Sequence, residues 1–111
     1  MKVAEKTYTQ ADLTPRRYWM LEVPSDDTSW YADLLRLVLP RLKTDNDRAS
    51  CMVGYSENEI DESIFDALTY ATDQGIQLPK KYRPLVEELF ADSDLLAVFE
   101  EYVDMKRVFG S

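Results

Sequence analysis

Residues 48–55 read RASCMVGY, and whether they run as a strand or as a helix decides the fold class of the chain. Ala49, Cys51, Val53 and Tyr55 fall at every second position, which places them on one face of an extended chain. Val and Tyr favour strands, and Thr44-Asp45-Asn46-Asp47 ahead of them has the composition of a polar turn. The spacing therefore predicts a strand over 48–55. Upstream, residues 17–23 (RYWMLEV) are aromatic and apolar and stop at Pro24, which predicts another strand. Trp19, Leu21 and Val23 share one of its faces; Tyr18, Met20 and Glu22 share the other.

Between these segments, Ser25-Asp26-Asp27-Thr28 offers capping oxygens and acids suited to a helix start. A helix is expected from there to about Lys43, with Trp30, Leu34, Leu37 and Val38 on one face, widened by Tyr31, Leu35 and Leu42. Pro40 should kink it or end it early. Strand, helix and strand in this order suit a right-handed parallel crossover or an antiparallel pair. From Ser56 onward only helices are expected. Ser56-x-x-Glu59 has the form of a capping box, and Gly75 sits where a left-handed glycine would close a helix over 57–74. Lys80-Lys81-Tyr82-Arg83 leads into Pro84 at a helix first turn, with Leu85, Val86, Leu89 and Phe90 apolar. Asp92-Ser93 restarts a last helix striped by Leu95, Leu96, Phe99, Tyr102 and Val103, with Lys106 and Arg107 at its C-terminal end. The expected fold class is α+β: a small two- or three-stranded sheet with a β-α-β start, followed by three helices. Residues 1–111 form one domain in this reading, with 1–12 as a loose arm or edge strand.

Composition removes several functions. Apolar residues make up 45% of the 111, enough for one modest core. No apolar run approaches the roughly 18 residues of a membrane span, and the first twelve residues lack the apolar centre of a secretory signal. The one cysteine, Cys51, forms no internal disulfide, and the chain fits a cytoplasmic protein of bacterial or phage type. Cys51 itself reads as a small buried hydrophobe. Histidine is absent, which removes the usual proton-transfer group and the commonest metal ligand. The three glycines are scattered, so no loop cradles a phosphate. Asp45-Asn46-Asp47 fails as a calcium loop, because Ala49 stands where an oxygen ligand is needed and Ser50 where a glycine is needed. No cofactor and no metal are expected, and the chain does not read as an enzyme.

Charge is the informative feature. Residues 1–55 hold as many bases as acids, so the net charge of −8 belongs wholly to residues 56–111. No base occurs between Ser56 and Pro79 or between Pro84 and Asp104. On the 57–74 helix, Ile60, Ile64, Leu68 and Ala71 gather on one face, with Phe65 beside them. Glu59, Glu62, Asp66 and Asp73 fall opposite, with Tyr70 at the edge. Glu57 and Asp61 lie in the first turn, where capping accounts for them. Like charges at helical spacing destabilise a helix by a few tenths of a kcal/mol per pair, roughly, and bases are usually interleaved. A solvated face and a binding face both explain such a line. Glu100 and Glu101 lie mid-helix beside Tyr102, followed by Asp104, and tyrosine among acids suits a surface that covers a basic site.

The expected partner-binding residues are thus Glu59, Glu62, Asp66, Tyr70, Asp73, Glu100, Glu101, Tyr102 and Asp104. Such a field repels nucleic acid and anionic membrane and attracts a basic protein. The expected function is a small acidic inhibitor of a basic partner, most simply an immunity protein that neutralises a bacterial nuclease-type toxin. The comparison rests on size, acidity and charge layout, as an analogy. A phage-encoded anti-restriction or anti-CRISPR nucleic-acid mimic is the alternative inhibitor, and a structural or regulatory interaction subunit is the alternative class.

Overall fold

The computed structural model describes residues 21–110, and every regular element among them is helical. In chain order these are α1 (Trp30–Val38), α2 (Asp45–Ser56), α3 (Ile60–Gln74), α4 (Arg83–Ala91), α5 (Leu96–Tyr102) and α6 (Met105–Phe109). Short 3-10 turns at Leu39–Arg41 and Lys80–Tyr82 precede α2 and α4. The expected α+β fold with a small sheet is therefore overturned. The strand expected over 48–55 lies inside α2. The strand expected over 17–23 falls mostly outside the described residues, as does the arm at 1–12, and residues 21–23 show no strand.

The reasons α2 is a helix begin just before it. Thr44 is its cap and not part of a turn: the side-chain oxygen accepts from the Asp47 amide at 3.1 Å. Asp45 and Asp47 stand in the first turn, where the helix dipole favours acids. Arg48 donates to the Leu42 carbonyl at 2.6 Å and pairs with Asp45 at 2.8 Å, fastening α2 to the chain that leaves α1. The decisive feature is small side chains. Ala49, Cys51 and Gly54 are buried along α2, and Ser63, Ala67 and Ala71 recur every fourth residue along α3, all three fully buried. A Cβ placed on Gly54 would come within 2.7 Å of the Ser63 amide nitrogen, so the two backbones touch there. The Ser63 hydroxyl donates to the Cys51 carbonyl at 2.8 Å within that contact. At the far end Gln74 reaches Asp47 at 3.2 Å, so α2 and α3 form an antiparallel hairpin. Close backbone approach at small residues outweighs a weak strand preference at Val53 and Tyr55.

The other elements depart less from expectation. α1 begins beyond the expected entry at residues 25–28, at a Ser29 cap whose hydroxyl accepts from the Ala32 amide. It ends at Val38, and Pro40 sits in the 3-10 turn that follows, so the proline does end the α-helix early. The capping box from Ser56 to Glu59 does not form. Ser56 is the last residue of α2 and its hydroxyl turns back to the Val53 carbonyl, while Asn58 takes a left-handed φ of 60° and Glu59 precedes α3. Gly75 closes α3 at φ 72°, as expected. Pro84 stands in the first turn of α4.

The second half holds four α-helices in place of three. Val103 is extended, and the Asp104 carboxylate caps a new helix by accepting from the Arg107 amide at 3.0 Å. One hydrophobic cluster joins these parts, from Val23 and α1 to Val108 and Phe109. Phe90 and Phe99 stack in it with ring centroids 4.0 Å apart. Trp30 is half-buried against the cluster and meets Tyr31 edge-on, so it belongs to the core margin.

Candidate partner-binding surface

The acids expected to bind a partner separate into two groups. At the start of α3, Glu59 and Glu62 are exposed beside Glu57 at the corner between α2 and α3. Glu62 is the main cause of a raised Glu59 pKa, followed by burial and then Glu57 and Asp61, so these carboxylates crowd one another. Asp61 is half-buried and accepts from the Ser93 hydroxyl at 2.7 Å, which ties this corner to the chain between α4 and α5.

Asp66 and Tyr70 do not complete an outward line. Asp66 is half-buried, accepts from the Ser50 hydroxyl of α2 at 3.3 Å, and has its pKa pushed up chiefly by burial. Tyr70 is half-buried against the core. The cause is the side on which α2 packs. It meets α3 at Ser63 and Asp66, and Ser63 and Ala67 are buried as well as Ile64 and Leu68, so the buried side of α3 extends round to the neighbours of Asp66 and Tyr70. Asp73 is exposed at the other end of α3, about 20 Å from Glu59 at the usual helical rise.

The second group surrounds a cleft of ≈ 740 Å³ beside α5. Glu100, Glu101, Tyr102 and Asp104 all line it and all are exposed, with Tyr102 at 54% the most accessible large apolar side chain among the described residues. Glu87 of α4 and Thr72 of α3 complete its polar wall, and half-buried Leu96 and Met105 supply apolar surface, with buried Phe90 and Phe99 behind them. Asp104 also has work inside the fold. Its carboxylate caps α6, and its amide donates to the Thr72 hydroxyl at 3.1 Å. Glu87 takes an ion pair from Arg83 at 3.3 Å.

The cleft was not visible in the sequence as a cleft, because Leu96 and Phe99 read as ordinary core stripe. The one available signal was Asp104 following an apolar run and preceding Arg107 by three residues, which marks a helix restart.

Of the bases, Arg83 reaches the cleft through Glu87, and most of the others are engaged elsewhere. Arg36 binds Asp33 and the Pro24 and Asp27 carbonyls, Arg48 binds Asp45, and Arg41 binds the Gln77 carbonyl. In the acidic half, Arg83 donates to the Gly110 carbonyl at 3.0 Å, and Lys81 stands over the Tyr82 ring at 5.2 Å. The ion pairs among the described residues are Arg36–Asp33, Arg48–Asp45 and Arg83–Glu87, so none engages Glu59, Glu62, Glu100 or Glu101. The Cys51 thiol is fully buried, and burial, with Asp66 and Asp47 nearby, pushes its pKa far up, against any role as a nucleophile. Among the described residues, no three His, Cys, Asp or Glu side chains are grouped to hold a metal ion, and no helix is long and apolar enough to cross a membrane. No protein-family model matches the chain, and neither does any curated protein or solved structure.

Proposed function

We propose that this is a small acidic binding protein that covers and blocks the basic surface of a protein partner in the cytoplasm, in the manner of an immunity protein that neutralises a nuclease-type toxin. The observation that carries the reading is the placement of Glu59, Glu62, Glu100 and Glu101. They are exposed, crowded among other acids, and left out of every ion pair among the described residues. A fold with 13 Lys and Arg had bases available to interleave. Leaving carboxylates together raises their mutual repulsion, as Glu62 does for Glu59 at the α2–α3 corner, and that cost is relieved when a cationic surface closes over them.

A nuclease groove is positive because it must neutralise phosphates, which makes it a natural target for such a surface. Two separated acidic groups beside a charge-neutral first half suit a one-to-one plug better than a mimic of a continuous nucleic-acid backbone. The test is affinity capture with the wild-type chain and with Glu59→Lys/Glu62→Lys and Glu100→Lys/Glu101→Lys, at low salt and at about 0.15 M salt. A basic partner should be captured, should be lost on reversal of either or both pairs, and should have its activity on nucleic acid suppressed at equimolar inhibitor. Capture of the same partner by a chain with both pairs reversed would overturn the reading.

A further inference from the structure

The two acidic groups differ in what surrounds them. At the α2–α3 corner the exposed carboxylates of Glu57, Glu59 and Glu62 stand together. Beside α5 the charges stand at the mouth of a cleft whose walls are Leu96, Met105 and Tyr102 above the stacked Phe90 and Phe99 rings. Its volume of ≈ 740 Å³ lies within the range of sites that accept several side-chain groups at once. Tyr102 is 54% exposed at the lip of this cleft, and Val98 of the same helix is 37% exposed. A bulky aromatic left open beside apolar walls marks a contact surface more than a solvated face.

The acids of the cleft are also not equivalent. Glu87 is held by Arg83 and Asp104 caps α6 and bonds Thr72 through its amide, whereas neither Glu100 nor Glu101 has an ion-pair partner among the described residues. An acid rim over an apolar floor is complementary to a segment that carries both positive and apolar side chains. A purely cationic strand would leave Leu96, Met105 and Tyr102 in contact with water, and an acidic segment or a second copy of this chain would meet like charge.

We infer that the cleft beside α5 receives a basic amphipathic segment of the protein partner, its Lys or Arg side chains directed to Glu100 and Glu101 and an apolar side chain set against Leu96, Met105 and Tyr102. The inference rests on the proposed function and says which of its two acidic groups anchors the partner. In the encounter the α2–α3 corner steers by charge, while the cleft holds by charge and apolar contact together. The two contributions respond differently to salt: steering weakens with screening, and the apolar part persists.

The test titrates the full chain with three synthetic peptides and follows its backbone amide resonances: one with Lys and Leu at amphipathic helical spacing, one with Lys on a polar background, and one with Glu and Leu. The Lys/Leu peptide should shift amides of α5, of Met105 and of the Glu87–Phe90 region, and should bind more tightly than the Lys peptide. The Glu/Leu peptide should not bind. Glu100→Gln/Glu101→Gln should weaken the Lys/Leu peptide by about tenfold, roughly 1.4 kcal/mol. Tyr102→Ala should weaken that peptide while leaving the Lys peptide unchanged, which separates the apolar contribution from the charge.

Equal binding of the Lys/Leu and Lys peptides, or shifts centred on Glu59 and Glu62, would overturn the inference. So would concentration-dependent shifts without any peptide, because they would assign the cleft to a second copy. Partner capture abolished by Glu59→Lys/Glu62→Lys but indifferent to Glu100→Gln/Glu101→Gln and Tyr102→Ala would remove this inference while leaving the proposed function standing.

Discussion

At the scale of single residues, Gly54 is the position where opposing effects have opposite signs. Helix propensity favours Gly54→Ala by about 1 kcal/mol, because alanine restricts the unfolded chain. Packing opposes it, since the new Cβ would lie 2.7 Å from the Ser63 nitrogen and 3.0 Å from the Glu59 carbonyl oxygen, both backbone atoms that have nowhere to go. Overpacking of this kind costs about 1–3 kcal/mol and can cost more. Net destabilisation of Gly54→Ala in a urea melt is expected, and stabilisation would mean α2 and α3 do not touch there.

Asp66 gives a second residue-scale prediction. Burial raises its folded pKa, so its contribution to stability is fully present below the unfolded pKa and is lost as pH rises through the folded one. Asp66→Asn keeps an acceptor for Ser50 and should therefore be the more stable form at neutral pH, with the difference vanishing in acid. The group is still partly exposed, so the gain stays under about 1 kcal/mol. Asp27 runs the other way. The Tyr55 hydroxyl first, then the Ser29 amide, hold its pKa down, so its contribution exists above the unfolded value and disappears as pH falls through the folded one. In Asp27→Asn the stability profile below about pH 4 should flatten, near the ordinary aspartate pKa.

At the scale of elements, caps decide where helices start, and their removal is measurable. Thr44→Ala deletes the acceptor for the Asp47 amide and should lower stability by about 1 kcal/mol, read from the midpoint of thermal unfolding. The same residues show how much of the fold could be read in advance. Gly75, Pro40, Pro84 and the apolar faces of α1 and α4 were legible, because each rests on a local rule that tertiary contacts did not override. The stretch at 48–55 was not. Ala49, Cys51, Val53 and Tyr55 fit a period of two, yet Thr44 with its acids and the small residues Ser63, Ala67 and Ala71 were the evidence for a helical hairpin. That evidence lies in two segments that have to be read together, and neither is decisive alone. The candidate site followed the same pattern. Glu59, Glu62, Glu100 and Glu101 are exposed, Tyr102 leaves the apolar stripe for the surface, and Asp66 and Tyr70 depended on which side of α3 its neighbour would cover.

At the scale of the whole molecule, the sequence divides the charge between its halves, and the fold gathers acids at two places while bringing Arg83 to the edge of one of them. Acids occupy the α2–α3 corner and the cleft beside α5, and the Lys80–Tyr82 turn and Arg83 meet the end of α6, as the Arg83 bond to Gly110 shows. A partner guided by such a field should associate faster at low ionic strength, with the dissociation rate set mainly by the cleft. The central claim is that exposed acids, outside every ion pair among the described residues, hold a basic protein partner. Its most direct measurement is the dissociation constant of the captured partner for the wild-type chain and for the fourfold variant Glu59→Lys/Glu62→Lys/Glu100→Lys/Glu101→Lys, in low and in about 0.15 M salt. The account predicts that wild-type binding weakens as salt rises and that the variant, still helical by circular dichroism, does not bind. Equal binding by the folded variant, independent of salt, would contradict it.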